Sequence, residues 1–356
     1  MPRLYYLGGF VPAAVILDLL GVPAAVVFVA SALGVIPAAA LMSEATEQLA
    51  EHSGPGIAGL LNVTFGNAPE LIIAIFALTD GLQEIVKASL VGSVIGNALL
   101  VLGAAMLAGG WRRRQQTFGA RAARAAALTL LAGAVVLSVP SLVLLAEGHA
   151  LPVVGAGRQS FGSTSETLSI ILAVALIVAY GAGLTVSLRA HREAPKPPGL
   201  SAAHWSVRRA VWVLAAASVL VAVASDTLVG SVEHASSELG ISQFFIGMFV
   251  VAIVGNAAEH WVAVVAAMKD KMDLSISIAV GSSAQVGLLL APLIVLLSFL
   301  VGPAPMAMVF NGYELAALAV AGLGTAIVTA RGRCTWRSGA ALISLYAALG
   351  AVSAAA

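Results

Sequence analysis

Apolar runs of about 20 residues or more follow one another along almost the whole chain, separated only by short stretches that carry the charge. A helix needs about that many apolar residues to cross the hydrocarbon of a bilayer, and no water-soluble core takes in so many. The composition agrees: 60% of the 356 residues are hydrophobic and 10% are charged. Lipid is therefore part of the solvent, and the bilayer is the first partner to expect. The net charge of +1, from few and scattered Lys and Arg, gives no reason to expect nucleic acid. Cys334 is the single cysteine, which excludes an intramolecular disulfide and a Cys-rich metal cluster. No GxxxxGK[ST] phosphate loop and no HExxH helix occurs, and no room is left for a nucleotide domain. The chain reads as a non-enzyme, with no catalytic residues and no cofactor. Its opening residues, Met1 to Arg3 and the apolar run after them, read as a retained first crossing.

Cutting at charges, Gly and Pro gives eleven segments, at 4–21, 22–52, 55–79, 82–110, 118–146, 162–190, 206–238, 241–268, 273–301, 308–330 and 336–355. Lys and Arg should gather on the cytoplasmic side of such an array. Arg3, Arg112 to Arg114, Arg121, Arg124, Arg189, Arg192, Lys196, Arg208, Arg209, Lys269, Lys271, Arg331, Arg333 and Arg337 all fall on one side, with Lys87 and Arg158 on the other. This predicts a multi-pass protein with a cytoplasmic amino terminus, in the inner membrane if the source is prokaryotic. The Pro- and charge-rich stretch Arg189 to Trp205 divides the chain into halves.

The halves repeat each other. Gly66-Asn67-Ala68-Pro69-Glu70 matches Gly255-Asn256-Ala257-Ala258-Glu259, Gly92-Ser93 roughly matches Gly281-Ser282, and Glu44 stands at the same offset from Glu233. Five segments separate the members of each pair, so matching helices run in opposite directions and the repeat is inverted. The expected fold is an all-α integral membrane protein of about eleven transmembrane helices. Its parts are a leading helix (1–21), a first five-helix repeat (22–192), a cytoplasmic linker (193–205) and a second five-helix repeat (206–356).

A carboxylate inside a membrane helix is costly unless it is paired, hydrated or turned to the bundle interior. Glu70 and Glu259 lie near the middle of their segments. With Asn three residues earlier and Gly four earlier, helical spacing places all three on one face. Ca2+ takes six to eight oxygen ligands. Two carboxylates supply at most four, Asn67 and Asn256 add amide oxygens, and Ser93, Asn97, Ser282 and Gln285 offer further polar groups. Pro69 has no N–H, which predicts a free carbonyl at Phe65. Two protons or one divalent ion each neutralise a carboxylate pair, which is the simplest basis for exchange of one for the other. A lone Glu beside an Asn can serve only to tie helices together, but duplication in inverted halves argues for function. Glu44, Glu47, Asp226 and Glu233 are candidates for an entry path and equally for water-facing helix ends. His260 points to another helix face than Glu259, and Lys87 is expected to reach out to water along its own stem. The Gly92-x-x-x-Gly96 spacing predicts close helix packing.

At these residues the chain resembles the Ca2+/H+ antiporters, the cation/proton exchangers of the calcium/cation antiporter superfamily. The likeness covers GLLNVTFGNAPELIIAIFAL (Gly59 to Leu78), VKASLVGSVIGNALLVLG (Val86 to Gly103) and the stretch from Phe245 to Leu293 that holds GNAAEH. Weaker likeness extends to ATEQLA (Ala45 to Ala50) and LRAHRE (Leu188 to Glu193). The resemblance implies one leading helix and two inverted five-helix repeats, with Glu70 and Glu259 binding cation and proton, and Ca2+ moved as a substrate. Two departures stand out: Pro69 replaces the usual branched or small residue, and the loop after the sixth segment is basic where many relatives are acidic. A sodium-coupled exchanger of the same superfamily is the nearest alternative, and a channel a more distant one. Selectivity among divalent ions and oligomeric state are not written in these motifs.

Overall fold

The structure, a computed structural model, describes residues 4–53, 55–111, 113–155, 162–191 and 204–355. Its helices are α1 (Phe10–Leu19), α2 (Ala24–Glu51), α3 (Pro55–Gly66), α4 (Ala68–Thr79), α5 (Gln83–Gly110), α6 (Ala120–Ala146), α7 (Ser163–His191), α8 (Val207–Leu239), α9 (Gln243–Gly255), α10 (Ala257–Met268), α11 (Met272–Leu297), α12 (Gly312–Thr329) and α13 (Trp336–Ala355). Among the described residues eight helices are long and apolar enough to span a membrane. The pairs α3/α4 and α9/α10 reach that length only when each is counted as one bent span. The first expected segment yields a 3-10 turn, Leu4–Gly9, and the short α1. Among the described residues the exception to the all-helical pattern is a ribbon in which Gln116–Thr117 pairs antiparallel with Arg333–Cys334. Cys334 is buried there, and burial pushes its thiol up to about 11, so it stays protonated and unreactive.

The chain forms two compact units, each drawn from both halves of the sequence. The first comprises Met1–Phe76, Ala175–Leu239 and Val254–Ala258. Within it α2 packs along α8 through small residues: Ala38, Met42 and Ala45 meet Leu214, Ala217 and Val221, and Ala68 joins them. Small side chains let the backbones approach, which lipid-immersed helices need in place of a hydrophobic drive. The start of α2 follows Pro23, which offers no side-chain acceptor for the free N–H groups of the first turn. Glu238 of α8 supplies it, accepting from Ala24 N at 3.1 Å and Ala25 N at 2.9 Å. Most of the expected linker lies outside the described residues. Its last two members are described, and His204 N and Trp205 N donate to Gln48 Oε1 at 2.9 and 3.0 Å.

The second unit comprises Ala77–Val174, Gly240–Ile253 and Glu259–Ala356. Here α5 crosses α9 so closely that a Cβ on Gly92 would overlap the Met248 carbonyl and come 2.8 Å from the Ala252 Cβ. Gly96, one turn on, has nothing within 4 Å of such an atom, so only one member of the small-residue pair makes the contact. Three of the helices carry a π turn, at Gly96–Val101 in α5, Ile246–Val251 in α9 and Val286–Leu290 in α11.

Between α11 and α12 the chain turns and bends over 298–304, then continues without helix, and from Met306 to Asn311 it is buried. Backbone polar groups in such a place need partners. Met306 N donates to Ser298 Oγ at 2.8 Å, Met308 N to Ser169 Oγ at 2.9 Å and Phe310 N to Ser141 Oγ at 2.7 Å. On the carbonyl side Gln83 Nε2 donates to Ala304 O and Pro305 O, at 2.8 and 3.2 Å. Lys87 Nζ donates to Val309 O at 3.1 Å. Lys87 is therefore buried, correcting the expectation that it reaches water: the carbonyl of a non-helical segment meets it inside. Glu314 joins the same region through a capping box on α12, in which Glu314 N donates to Asn311 Oδ1 and Asn311 N to Glu314 Oε2, both at 2.8 Å.

Replacing Gly92 by Ala is expected to cost about 1–3 kcal/mol through overpacking, seen as a lower thermal midpoint of the detergent-solubilised protein. The Gly96→Ala protein should melt with the wild type; equal losses at both positions would contradict the α5–α9 contact.

Candidate cation site

The two repeated motifs do not lie within continuous helices. The chain bends by 43° between α3 and α4 and by 62° between α9 and α10, at Asn67 and Asn256. This corrects the expectation of Gly, Asn and Glu stacked on one helical face. Each Glu sits instead in the first turn of the second half-helix, Glu70 in α4 and Glu259 in α10. Proline is not the cause, since the sharper bend occurs where Ala258 replaces Pro69. What the bends share is the Gly-Asn pair. Glycine is a poor helix former, and the Asn67 side chain competes with its own backbone: Asn67 Nδ2 donates to Val63 O at 3.3 Å. Asn67 O then accepts from Leu71 N at 3.1 Å, which starts α4. A carboxylate three residues beyond an Asn at a helix start faces the positive end of the helix dipole.

In the first unit Glu70 is half-buried and packs against Gly255, from the partner motif. A Cβ on Gly255 would stand 3.1 Å from Glu70 Cγ and 3.8 Å from Ile73 Cδ1, so glycine is what admits the carboxylate stem. Asn67 and Asn256 are both buried, while Gly66 and Phe65 are half-buried, Phe65 against the α2–α8 core. On α2, Glu44 is half-buried and Glu47 exposed; on α8, Asp226 and Glu233 are exposed. Among the described residues no three of His, Cys, Asp and Glu gather closely enough to hold a metal ion. The four outlying carboxylates thus form no resident metal centre.

In the second unit Ser282 Oγ donates to Glu259 Oε2 in a short hydrogen bond. Ser93, Asn97 and Ser282 are buried and Gln285 is half-buried. Asn97 lies inside the π turn of α5, and Gln285 immediately precedes that of α11. A π turn widens the helix and re-aims the side chains on it, and such turns recur at functional positions. Ser283, which the motifs did not single out, donates to Val94 O and to Ala279 O, both at 3.1 Å, tying α11 to α5. Its adjacency to Ser282 was the only signal in the sequence. His260 is half-buried, and its Nε2 has no hydrogen-bond partner among the described residues.

The chain matches the family model described as sodium/calcium exchanger protein over residues 23–189 and 209–354, each half carrying one broken helix. The chain belongs to this exchanger family. Within the family it is 38% identical over 355 residues to a Ca2+/H+ antiporter of Bacillus subtilis, covering 97% of both chains. It is 37% identical over 346 residues to a Ca2+/H+ antiporter of Aphanothece halophytica, covering 91% of this chain and 88% of the relative. The solved structure of native YfkE superposes with a TM-score of 0.83 at 36% identity, covering 99% of this chain and 100% of that one. The resemblance seen in the exchanger's motifs is therefore borne out along nearly its whole length.

Removal of the Ser282 hydroxyl takes a hydrogen bond from a charged acceptor. Ser282→Ala is expected to weaken Ca2+ binding about tenfold with little change in thermal midpoint, measured by calorimetric titration and melting of the same sample. Unchanged affinity would detach Ser282 from the site.

Proposed function

We propose that this exchanger is a secondary antiporter that moves Ca2+, with other divalent cations as possible cargo, against protons by alternating access. Glu70 and Glu259 bind cation and proton in competition. The observation that carries this reading is the duplicated carboxylate at the start of the second half of a broken helix, once in each half of the chain. Broken helices of this kind present a helix end and freed backbone groups at membrane depth, where ion coordination needs them. Asn67 and Asn256 add amide oxygens in this reading, with Ser93, Asn97, Ser282 and Gln285 in support. Two glutamates are few ligands for a hard cation, and water completes the shell. The two carboxylates are neutralised equally by one Ca2+ or by two protons, and each state discourages the other.

Counting each bent pair as one span makes α1 a leading helix before two inverted sets of five, 22–192 and 206–356, joined through 193–205. The near-equal placing of the two bends supports that layout. The distribution of Lys and Arg supports a cytoplasmic amino terminus. The family description names sodium, whereas the Bacillus and Aphanothece relatives are named for protons. Proton coupling is favoured by the polar residues on α5 and α11, Ser93, Asn97, Ser282 and Gln285, which bring amides and hydroxyls where further carboxylates would suit sodium.

The deciding experiment is Ca2+ uptake into proteoliposomes driven by an imposed pH gradient, with and without Na+. Wild type should follow the pH gradient and ignore Na+, while Glu70→Gln and Glu259→Gln should fall to background. Na+-driven uptake would overturn the coupling, and active variants would overturn the site.

A further inference from the structure

Three loops of the second unit come together at one end of its helices. Phe118 N donates to Gly332 O at 3.0 Å, next to the ribbon of Gln116–Thr117 with Arg333–Cys334. Gln116 Nε2 donates to Ala267 O at 3.0 Å, Arg113 Nη1 to Met268 O at 3.2 Å, and Gly119 N to Asp273 Oδ1 at 2.7 Å. The turn before α11 is held by Asp270 at φ 62°, a left-handed conformation that an Asp tolerates. These bonds lock residues 113–124, 267–273 and 331–337 into one platform.

The surface of that platform is basic. Arg114, Arg121, Arg124, Lys269, Lys271, Arg331, Arg333 and Arg337 are all exposed on it. The acidic residues in the three stretches are Asp270 and Asp273, and both are engaged within the platform. Asp270 Oδ1 lies 3.6 Å from Arg113 Nε and also accepts from Gln116 Nε2, and Asp273 accepts from Gly119. Among the described residues the exposed cations are thus left without an ion-pair partner. Two large aromatic rings flank them at the ends of membrane helices: Trp111 after α5 is 77% exposed, and Trp336 at the start of α13 is 44% exposed, with Arg337 over its ring at 5.6 Å. Tryptophans at helix ends mark the depth of the lipid headgroups.

We infer that this platform is a binding surface for the headgroups of anionic phospholipids. A rigid array of cations at headgroup depth attracts the anionic lipids of the adjoining leaflet, and the Trp rings set its height in the interface. Arg side chains pair with phosphate through two donors at once, and six of the eight exposed cations are Arg. A soluble acidic protein would need no Trp pair at this depth. The ribbon joins the ends of α5 and α12 to the starts of α6 and α13, so bound lipid would brace these helix ends.

The test uses the full chain in nanodiscs of phosphatidylcholine containing phosphatidylglycerol, with retained lipid counted by native mass spectrometry after extraction. Wild type should retain phosphatidylglycerol about threefold above its share of the bilayer. Arg331→Gln/Arg333→Gln/Arg337→Gln should lose that enrichment, and so, in part, should Arg121→Gln/Arg124→Gln, which leaves the ribbon untouched. The triple Lys replacement should keep most of it. Retention in proportion to bilayer composition, or enrichment unchanged in the Gln variants, would overturn the inference. So would a thermal shift given equally by inorganic phosphate, since that would make the surface a general anion site.

Discussion

Each polar group withdrawn from water has to find a partner inside the protein, and in lipid this requirement is nearly absolute. It explains features that look unrelated. Glu238 reaches across from α8 to serve the first N–H groups of α2 because Pro23 cannot. Lys87 turns inward to a carbonyl when its length would let it run outward. Serine hydroxyls from separate helices serve alternate amides of the Met306–Asn311 stretch. The broken helices follow the same rule: at Asn67 the chain bends, the side chain turns back to Val63 O, and the Asn67 carbonyl still finds Leu71 N at the start of α4.

The overall architecture was legible because hydrophobic length is a strong signal and because the repeat leaves two copies of each motif to compare. Helix ends agree with the sequence segments to within a few residues at α2, α5 and α6, where Pro, Gly and charge cut the apolar runs cleanly. The breaks in the third and eighth segments were hidden by unbroken hydrophobicity on both sides. A signal for them existed in the Asn-x-x-Glu spacing, which is a helix-start pattern. That spacing occurs a third time at Asn311–Glu314, where it caps α12 and sets the Glu314 carboxylate within electrostatic reach of Lys87. Pattern alone therefore names a helix start; duplication in opposite halves is what singles out Glu70 and Glu259. Lys87 misled because its length suits it to snorkelling, and nothing local announces a non-helical segment more than two hundred residues later.

Glycine does two different jobs in the site region. At Gly92 it lets backbones touch, so the second unit can hold α5 against α9. At Gly255 it clears space for one side chain, Glu70, supplied by the other Gly-Asn motif. The glycine of one motif thus makes room for the glutamate of the other. The π turns of α5 and α11 fall at matching places in the repeat, beside Asn97 and Gln285.

The buried non-helical stretch before α12 draws its side-chain partners from one direction along the chain. Gln83, Lys87, Ser141, Ser169 and Ser298 all precede it in the chain. The amides at Met306, Met308 and Phe310 thus depend on hydroxyls that all lie earlier in the chain, so shortening the chain from its carboxyl end would spare every one of these partners.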